Sequence, residues 1–227
     1  IQHLEAVSAN RPLTMKLYRP FQHGAQAFNL KLFHDREPMN LSASLPILEN
    51  MGVRVRDEHP YCVERDDGSV VWISDFGLDL GAAFEQMGRD DVQQNFQDLL
   101  TQVFAKRCEN DGFNRLALLA GMNWREISLI RAWSKYLRQA GLTFSQSYIE
   151  QCVANYPEIT RRLVALFVAR LHPLDADATL AETLLAELRE RLDNVANLDE
   201  DRILNGFLAV ILAIRRSNFW QQTAAGE

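Results

Sequence analysis

Lysine is scarce in this sequence of 227 residues: only Lys16, Lys31, Lys106 and Lys135 are present. Cysteine is rarer still. Cys62, Cys108 and Cys152 are odd in number and far apart, so the sequence holds neither a disulfide framework nor a CxxC metal or redox motif, and a reducing, cytoplasmic setting is expected. None of the 11 glycines falls in GxGxxG or GxxxxGK[ST] spacing, which excludes a dinucleotide fingerprint and a phosphate-cradling loop. The histidines, His3, His23, His34, His59 and His172, are isolated from one another, so no zinc shell can be read and no metal is expected. No serine sits in GxSxG context and no cysteine in a catalytic setting, so no nucleophile is proposed. Excess positive charge is also absent. The formal charge of −6 is shared between the first 80 residues and the remainder, leaving neither half the concentrated positive field that nucleic-acid binding requires. No apolar run approaches the roughly 20 residues of a bilayer span, so no membrane partner is expected.

What remains is the mixture of an ordinary globular protein, 47% hydrophobic and 24% charged, long enough for one large domain or two small ones. Up to Leu80 the hydrophobic period is two. Leu13 to Leu17 and Phe28 to Leu32 alternate apolar and polar residues as half-buried strands do, with a loose loop at Pro20 to Gly24 between them. Asn40-Leu41-Ser42 supplies a cap ahead of Leu45, Leu48 and Met51, whose spacing places them on one side of a short helix. Pro46 is read as a first-turn proline, tolerated because first-turn amides lack helical partners, and Gly52 as the stop. Val53, Val55 and Val63, then Val70, Val71 and Ile73, give two more strands around the turn Asp66-Asp67-Gly68-Ser69.

Beyond Gly81 the period becomes 3.6. Phe113, Leu116, Ala117 and Ala120 form one stripe, and Leu129, Ala132, Trp133, Tyr136, Leu137 and Ala140 form a second. Leu163, Val164, Phe167, Val168 and Leu171 make a third, and Leu185, Leu188, Leu192 and Val195 follow the spacing of a bundle seam. Asp199 is read as the N-cap of a last helix with Glu200 and Asp201 in its first turn and Arg215-Arg216 at its end. Its unbroken apolar stretch, Phe207 to Ile214, suits a central, fully surrounded helix. The fold class is therefore α+β, a small and mostly antiparallel sheet module over residues 1–80 followed by an all-helical bundle over 81–227.

Few polar clusters suggest chemistry. Asn110, Asp111, Gly112, Phe113, Asn114 and Arg115 form the most distinctive one. As a calcium loop it would place Arg107 and Leu118 at the terminal ligand positions, where carboxylates are needed, so it is read as a structural motif in which Asn110 or Asp111 caps a helix and Gly112 permits the turn. Arg131, Lys135 and Arg138 share a helix face and are read as solvated. Asp57, Glu58 and Glu64 to Asp67 make a carboxylate-rich hairpin whose charge guards a sheet edge. Trp72, Trp124, Trp133 and Trp220 are assigned to packing.

Longer strings carry a resemblance. Leu45 to Val55, Asp57 to Tyr61, Val71 to Leu78, Glu109 to Leu116, Trp124-Arg125-Glu126, Tyr136 to Gly141, Leu198 to Leu204 and Arg216 to Gln221 resemble, in the same order, blocks of the large bacterial NAD-dependent glutamate dehydrogenases. The resemblance runs from about Lys16 to Gln221. It implies a regulatory segment just upstream of the catalytic domain, with Arg216 to Gln221 at the start of that domain. It also implies ACT-like modules, small sheets with helices that in other proteins bind amino acids at paired interfaces. The implied parent enzyme converts L-glutamate to 2-oxoglutarate and ammonia with NAD. No catalytic, cofactor-binding or metal residue is carried over, and no cofactor is expected in this segment itself. The expected partners are the catalytic domain of the same chain, further copies in a homo-oligomer and an amino-acid effector. Residues 26–79 supply strand, helix, strand, strand, so the strand at Leu13 to Tyr18 is expected to complete the module. The connection Glu37-Pro38-Met39-Asn40 lacks the glycine such modules commonly place beside a ligand. Ile1 in place of Met marks the sequence as a piece of a longer chain. The alternatives are a stand-alone amino-acid-sensing module, testable by calorimetry, and an independent enzyme, for which no converging acid, base and nucleophile are visible.

Overall fold

The alternating segments form β1 (Leu13–Tyr18) and β2 (Phe28–Asp35), and the valine-rich runs form β3 (Arg54–Glu64) and β4 (Val70–Asp79). This computed structural model describes residues 2–8, 13–20, 28–35, 37 and 39–221; the expected loop at Phe21 to Gly24, His23 within it, Pro38 and the end at Ala224 to Glu227 lie outside the described residues. All four strands pair antiparallel in the order β1-β2-β4-β3, so β1 does complete the sheet, at the edge beside β2. The turn between β3 and β4 is the expected one. Gly68 takes φ +77, and Asp67 Oδ1 accepts the Ser69 N–H at 2.8 Å.

Register divides the sheet into two unlike faces. On one lie Leu17, Leu30, Leu32, Phe76 and Leu78, all buried. Helix α2 (Leu41–Asn50) packs on β3, and α4 (Asp90–Phe104) packs on β1 with Val92, Phe96, Leu99 and Leu100 fully buried. Asn40 caps α2 as expected, its Oδ1 accepting from Ser42 N at 3.0 Å, and Leu48 and Met51 point into the core. Pro46 departs from expectation. It sits inside the helix, past the first turn, where its missing N–H removes a ladder bond instead of an amide with no partner to lose. The opposite face of the sheet is apolar at one end, where Phe33, Val71 and Ile73 meet Val7 and Leu4. That contact comes from α1 (Gln2–Ala6), a helix without a sequence signal of its own, and from Val7 just beyond it; the Leu4 and Val7 carbonyls both accept from the Arg65 guanidinium.

By packing the chain forms two compact units, residues 1–124 and 125–227. The first unit contains the sheet, α2, α4, the short helices α3 (Phe84–Met87) and α5 (Leu116–Leu119), and 3-10 turns at Gly81–Ala83 and Gly112–Arg115. The second comprises α6 (Trp124–Gln139, from its second residue), α7 (Gln146–Asn155), α8 (Pro157–Leu171), α9 (Ala178–Leu192) and α10 (Leu198–Ala213).

Within the second unit several expectations are corrected. The buried stripe of α6 is Ile127, Ile130, Trp133 and Leu137, whereas Ala132, Tyr136 and Ala140 are exposed. Arg131 is buried, not solvated, and reaches Ser128 Oγ at 3.5 Å; only Lys135 and Arg138 of that trio face water. The N-cap of α10 is Asn197, whose Oδ1 accepts from Asp199 N at 2.9 Å and Glu200 N at 3.3 Å, and Asp199 belongs to the first turn. Arg215 and Arg216 lie beyond the helix end. The positive charge at that end comes instead from Arg170 of α8, which donates to the carbonyls of Ile211 and Leu212. Helix α10 is also not fully surrounded. Phe207, Leu208, Val210 and Ile211 are buried, but Ala209 and Ala213 are exposed.

Candidate functional site

The motif at residues 109–115 folds as a fastened turn in the first unit. Asp111 Oδ1 accepts the Phe113 N–H at 3.2 Å, so Asp111 is the cap, but the turn it caps is 3-10 and Gly112 does not use a left-handed conformation. Asn114, with no exposed surface, donates to the Glu109 carbonyl at 2.9 Å. Asn50, at the end of α2, donates to Asn110 Oδ1 at 3.1 Å. Directly after α2, Gly52 adopts φ +84 and runs so close to the motif that an added Cβ would lie 3.1 Å from Arg115 Cβ. Two of the strings that carry the family resemblance therefore meet face to face. Beside this junction is a cavity of about 420 Å³ lined by Glu49, Gly52, Val53, Arg54, Arg115 and Leu118 among others. An adjoining one of about 310 Å³ shares Gly52 and Arg54 and adds Asp79, Leu80 and Gly81.

A second polar assembly lies on the sheet face that α1 leaves uncovered. Cross-strand register aligns Lys16, Lys31, Asp75 and His59 in one row and Tyr18, Asn29, Gly77 and Asp57 in the next. Lys31 Nζ donates to Asp75 Oδ2 at 2.7 Å and to Tyr18 Oη at 2.9 Å, and Tyr18 Oη donates to Asp75 Oδ2 at 2.7 Å. Asn29 Nδ2 reaches Asp75 Oδ1 at 3.3 Å, and among the described residues the buried Asn29 Oδ1 has no hydrogen-bond partner. Burial disfavours the charged form of Lys31, but the bonds to Asp75 and Tyr18 outweigh it and raise its pKa; burial raises that of Tyr18. No sequence motif announces this cluster, because its members alternate with core residues on three separate strands.

In the second unit the segment after α10 is seated by aromatic contacts. Trp220 stacks on Phe167 with ring centroids 5.2 Å apart and planes at 7°, and meets His172 edge-on. Phe219 meets Phe167 edge-on at 5.9 Å. The Arg125 guanidinium lies 5.3 Å from the Phe219 ring centroid and donates to the Phe219 carbonyl. Again two resembling strings, Trp124 to Glu126 and Arg216 to Gln221, come together. Burial and the nearby Glu200 push the Cys152 thiol up to about 12, so it is an inert packing group. Among the described residues no group of three His, Cys, Asp or Glu gathers to hold a metal, and no helix is long and apolar enough to cross a membrane.

These features define a class of protein segment: an antiparallel sheet module with helices, followed by a helical unit. Residues 12–92 match the glutamate dehydrogenase ACT3 domain, 108–173 match glutamate dehydrogenase helical motif 3, and 187–227 match the catalytic domain of bacterial NAD-glutamate dehydrogenase. The NAD-specific glutamate dehydrogenases of Halomonas elongata and Pseudomonas aeruginosa are 36% and 38% identical over the whole chain, which covers 14% of each. That of Mycobacterium tuberculosis is 37% identical over 80% of the chain and 12% of its own length. The chain belongs to the family of large bacterial NAD-specific glutamate dehydrogenases and corresponds to a fragment of it, about a seventh of the length of these relatives. The catalytic-domain match begins inside α9, upstream of the Arg216 to Gln221 block where the sequence placed the start of that domain.

Proposed function

We propose that this chain is a non-catalytic regulatory and scaffold segment of an NAD-specific glutamate dehydrogenase. The parent enzyme oxidatively deaminates L-glutamate to 2-oxoglutarate and ammonia in the cytoplasm and passes a hydride to NAD. The observation that carries this reading is the order of the family matches: ACT3 domain, helical motif, and only then, from residue 187, the catalytic domain. On this reading the sheet module receives an amino-acid effector, the helical unit carries subunit contacts of a homo-oligomer, and the Phe219-Trp220 seat fastens part of the catalytic-domain match, which begins at residue 187, onto α8.

The residues present do not fit NAD. A dinucleotide fold uses parallel strands and a glycine-rich turn from strand into helix. Here all four strands are antiparallel, and Met39-Asn40 leads into α2 through a side-chain cap. No step through NAD is therefore assigned to this segment.

Incubating the chain with L-glutamate and NAD tests the reading directly. No NADH is expected, and steady NADH formation would place the active site within these residues and overturn it. In a full-length relative, replacing the residue equivalent to Phe207 with Asp is expected to alter both assembly and kinetics, and an unchanged enzyme would remove the scaffold role.

A further inference from the structure

We infer that the groove formed by α6, α8 and the segment after α10 is a docking surface for the remainder of the catalytic domain, which enters it as an extended strand carrying an aliphatic side chain beside a carboxylate. The inference rests on the reading above, that a catalytic domain continues from this segment, and names the surface of this chain that receives it. The groove holds about 460 Å³ and lies wholly within the second unit. Leu129, Trp133, Phe167 and Ile214 give it apolar surface, and Arg216 and Asn218 give it polar groups.

Its lining comes from two modules. Leu129, Trp133 and Phe167 belong to the stretch that matches helical motif 3, whereas Ile214, Arg216 and Asn218 belong to the stretch that matches the catalytic domain. Residues 187–227 hold only a small part of that domain, so on the proposed reading the rest is tethered beside the groove at high effective concentration. A tethered occupant outcompetes a free one.

The backbone beside the groove is open to pairing. At Ile214 the chain leaves α10 in an extended conformation, and among the described residues the exposed amides of Arg215 to Asn218 have no backbone acceptor. Such groups can accept a strand. The segment is already held in place, because Trp220 stacks on Phe167 and Arg125 donates to the Phe219 carbonyl, so docking costs little further ordering. Arg216 sets the charge of the partner. Its guanidinium makes no hydrogen bond or ion pair among the described residues and no acidic side chain lines the groove, so an incoming carboxylate would meet unspent forked donors. The groove is open along one side. A small metabolite there would keep much of its surface in water, whereas a strand uses the neighbouring backbone as well.

The test is amide hydrogen exchange over residues 214–218, followed by mass spectrometry, in this chain alone and in the full-length parent enzyme. Exchange slower by roughly tenfold or more is expected in the parent. Arg216→Glu changes an exposed side chain and should leave the melting temperature of the chain alone unchanged, yet it should remove most of the protection in the parent by setting like charges together. Arg216→Lys should keep most of it. Leu129→Gln, on α6 and outside the catalytic-domain match, should lower the protection too, which pairing within the catalytic domain alone would not predict. Equal exchange in chain and parent, or protection indifferent to Arg216→Glu or to Leu129→Gln, would overturn the inference. So would protection in the chain alone that vanishes on dilution, which would make a second copy the occupant. NADH formation by the chain alone bears on the proposed function only, so the two failures are distinguishable.

Discussion

Asp75 holds together the polar half of a sheet face: it is nearly buried and accepts from Lys31, Tyr18 and Asn29 at once. Removing its charge deprives the Lys31 ammonium of its ion-pair partner, but Lys31 keeps part of its surface in water, so Asp75→Asn should cost about 1–2 kcal/mol in a denaturant titration, less than a fully buried pair. Nothing local in the sequence shows this partnership, because its two members stand 44 residues apart. His34 gives a pH-dependent prediction. Burial lowers its pKa from the ordinary 6.5, with the Glu37 backbone and Asp35 acting weakly in the opposite sense. The unfolded chain then binds the proton more readily, so the stability this residue contributes is complete above 6.5 and is lost as pH falls through the lowered folded value. The melting temperature of His34→Gln should therefore fall less steeply than that of the parent between about pH 7 and about pH 5. Cysteine reactivity provides a third check. Cys62 is exposed and Cys152 buried, so iodoacetamide should label Cys62 in the native chain and reach Cys152 only after unfolding.

At the scale of elements, ends matter more than middles. Gly52 sits in the left-handed region and against Arg115, so Gly52→Ala should destabilise the first unit by about 1–2 kcal/mol and shrink the neighbouring cavity. The cap of α10 is worth a similar measurement: Asn197→Ala should cost about 1 kcal/mol, and Asp199→Ala clearly less, because Asn197 makes both capping bonds. Several elements were legible because their signal is periodic. The alternation in β1 and β2, the Asn40 cap and the Asp67-Gly68 turn are local facts about neighbouring residues. The stripe of α6 was misread for a different reason. Ala132, Tyr136 and Ala140 are apolar enough to suggest a buried face, yet the burial falls on Ile127, Ile130 and Arg131, and which side of a helix turns inward depends on what packs against it. The C-terminal end of α10 repeats the point, since the charge completing it comes from Arg170, on another helix.

At the scale of the molecule, each compact unit joins strings that are distant in the chain and that both carry the family resemblance. The end of α2 meets the Arg115 turn in the first unit, and Arg125 meets Phe219 in the second. A packed junction of this kind is damaged from either side. The clamp predicts that Phe219→Ala and Trp220→Ala each loosen the second unit, seen as a lower melting temperature and faster hydrogen exchange in α6 and α8.

By itself the sequence determined the class of the fold, the identities of most strands and helices, and the family, because these depend on periodicity and on long ordered strings that survive without three-dimensional information. It also singled out the 109–115 string, which reads as a structural motif. What only the tertiary structure decided is where polar groups converge: the Lys31 and Asp75 pair, the Asn50 and Asn110 contact, and the guanidinium groups that close α1 and α10. Such convergence joins residues tens of positions apart, and its energy comes from desolvation and charge pairing at contact distance, quantities that have no value until the chain has folded.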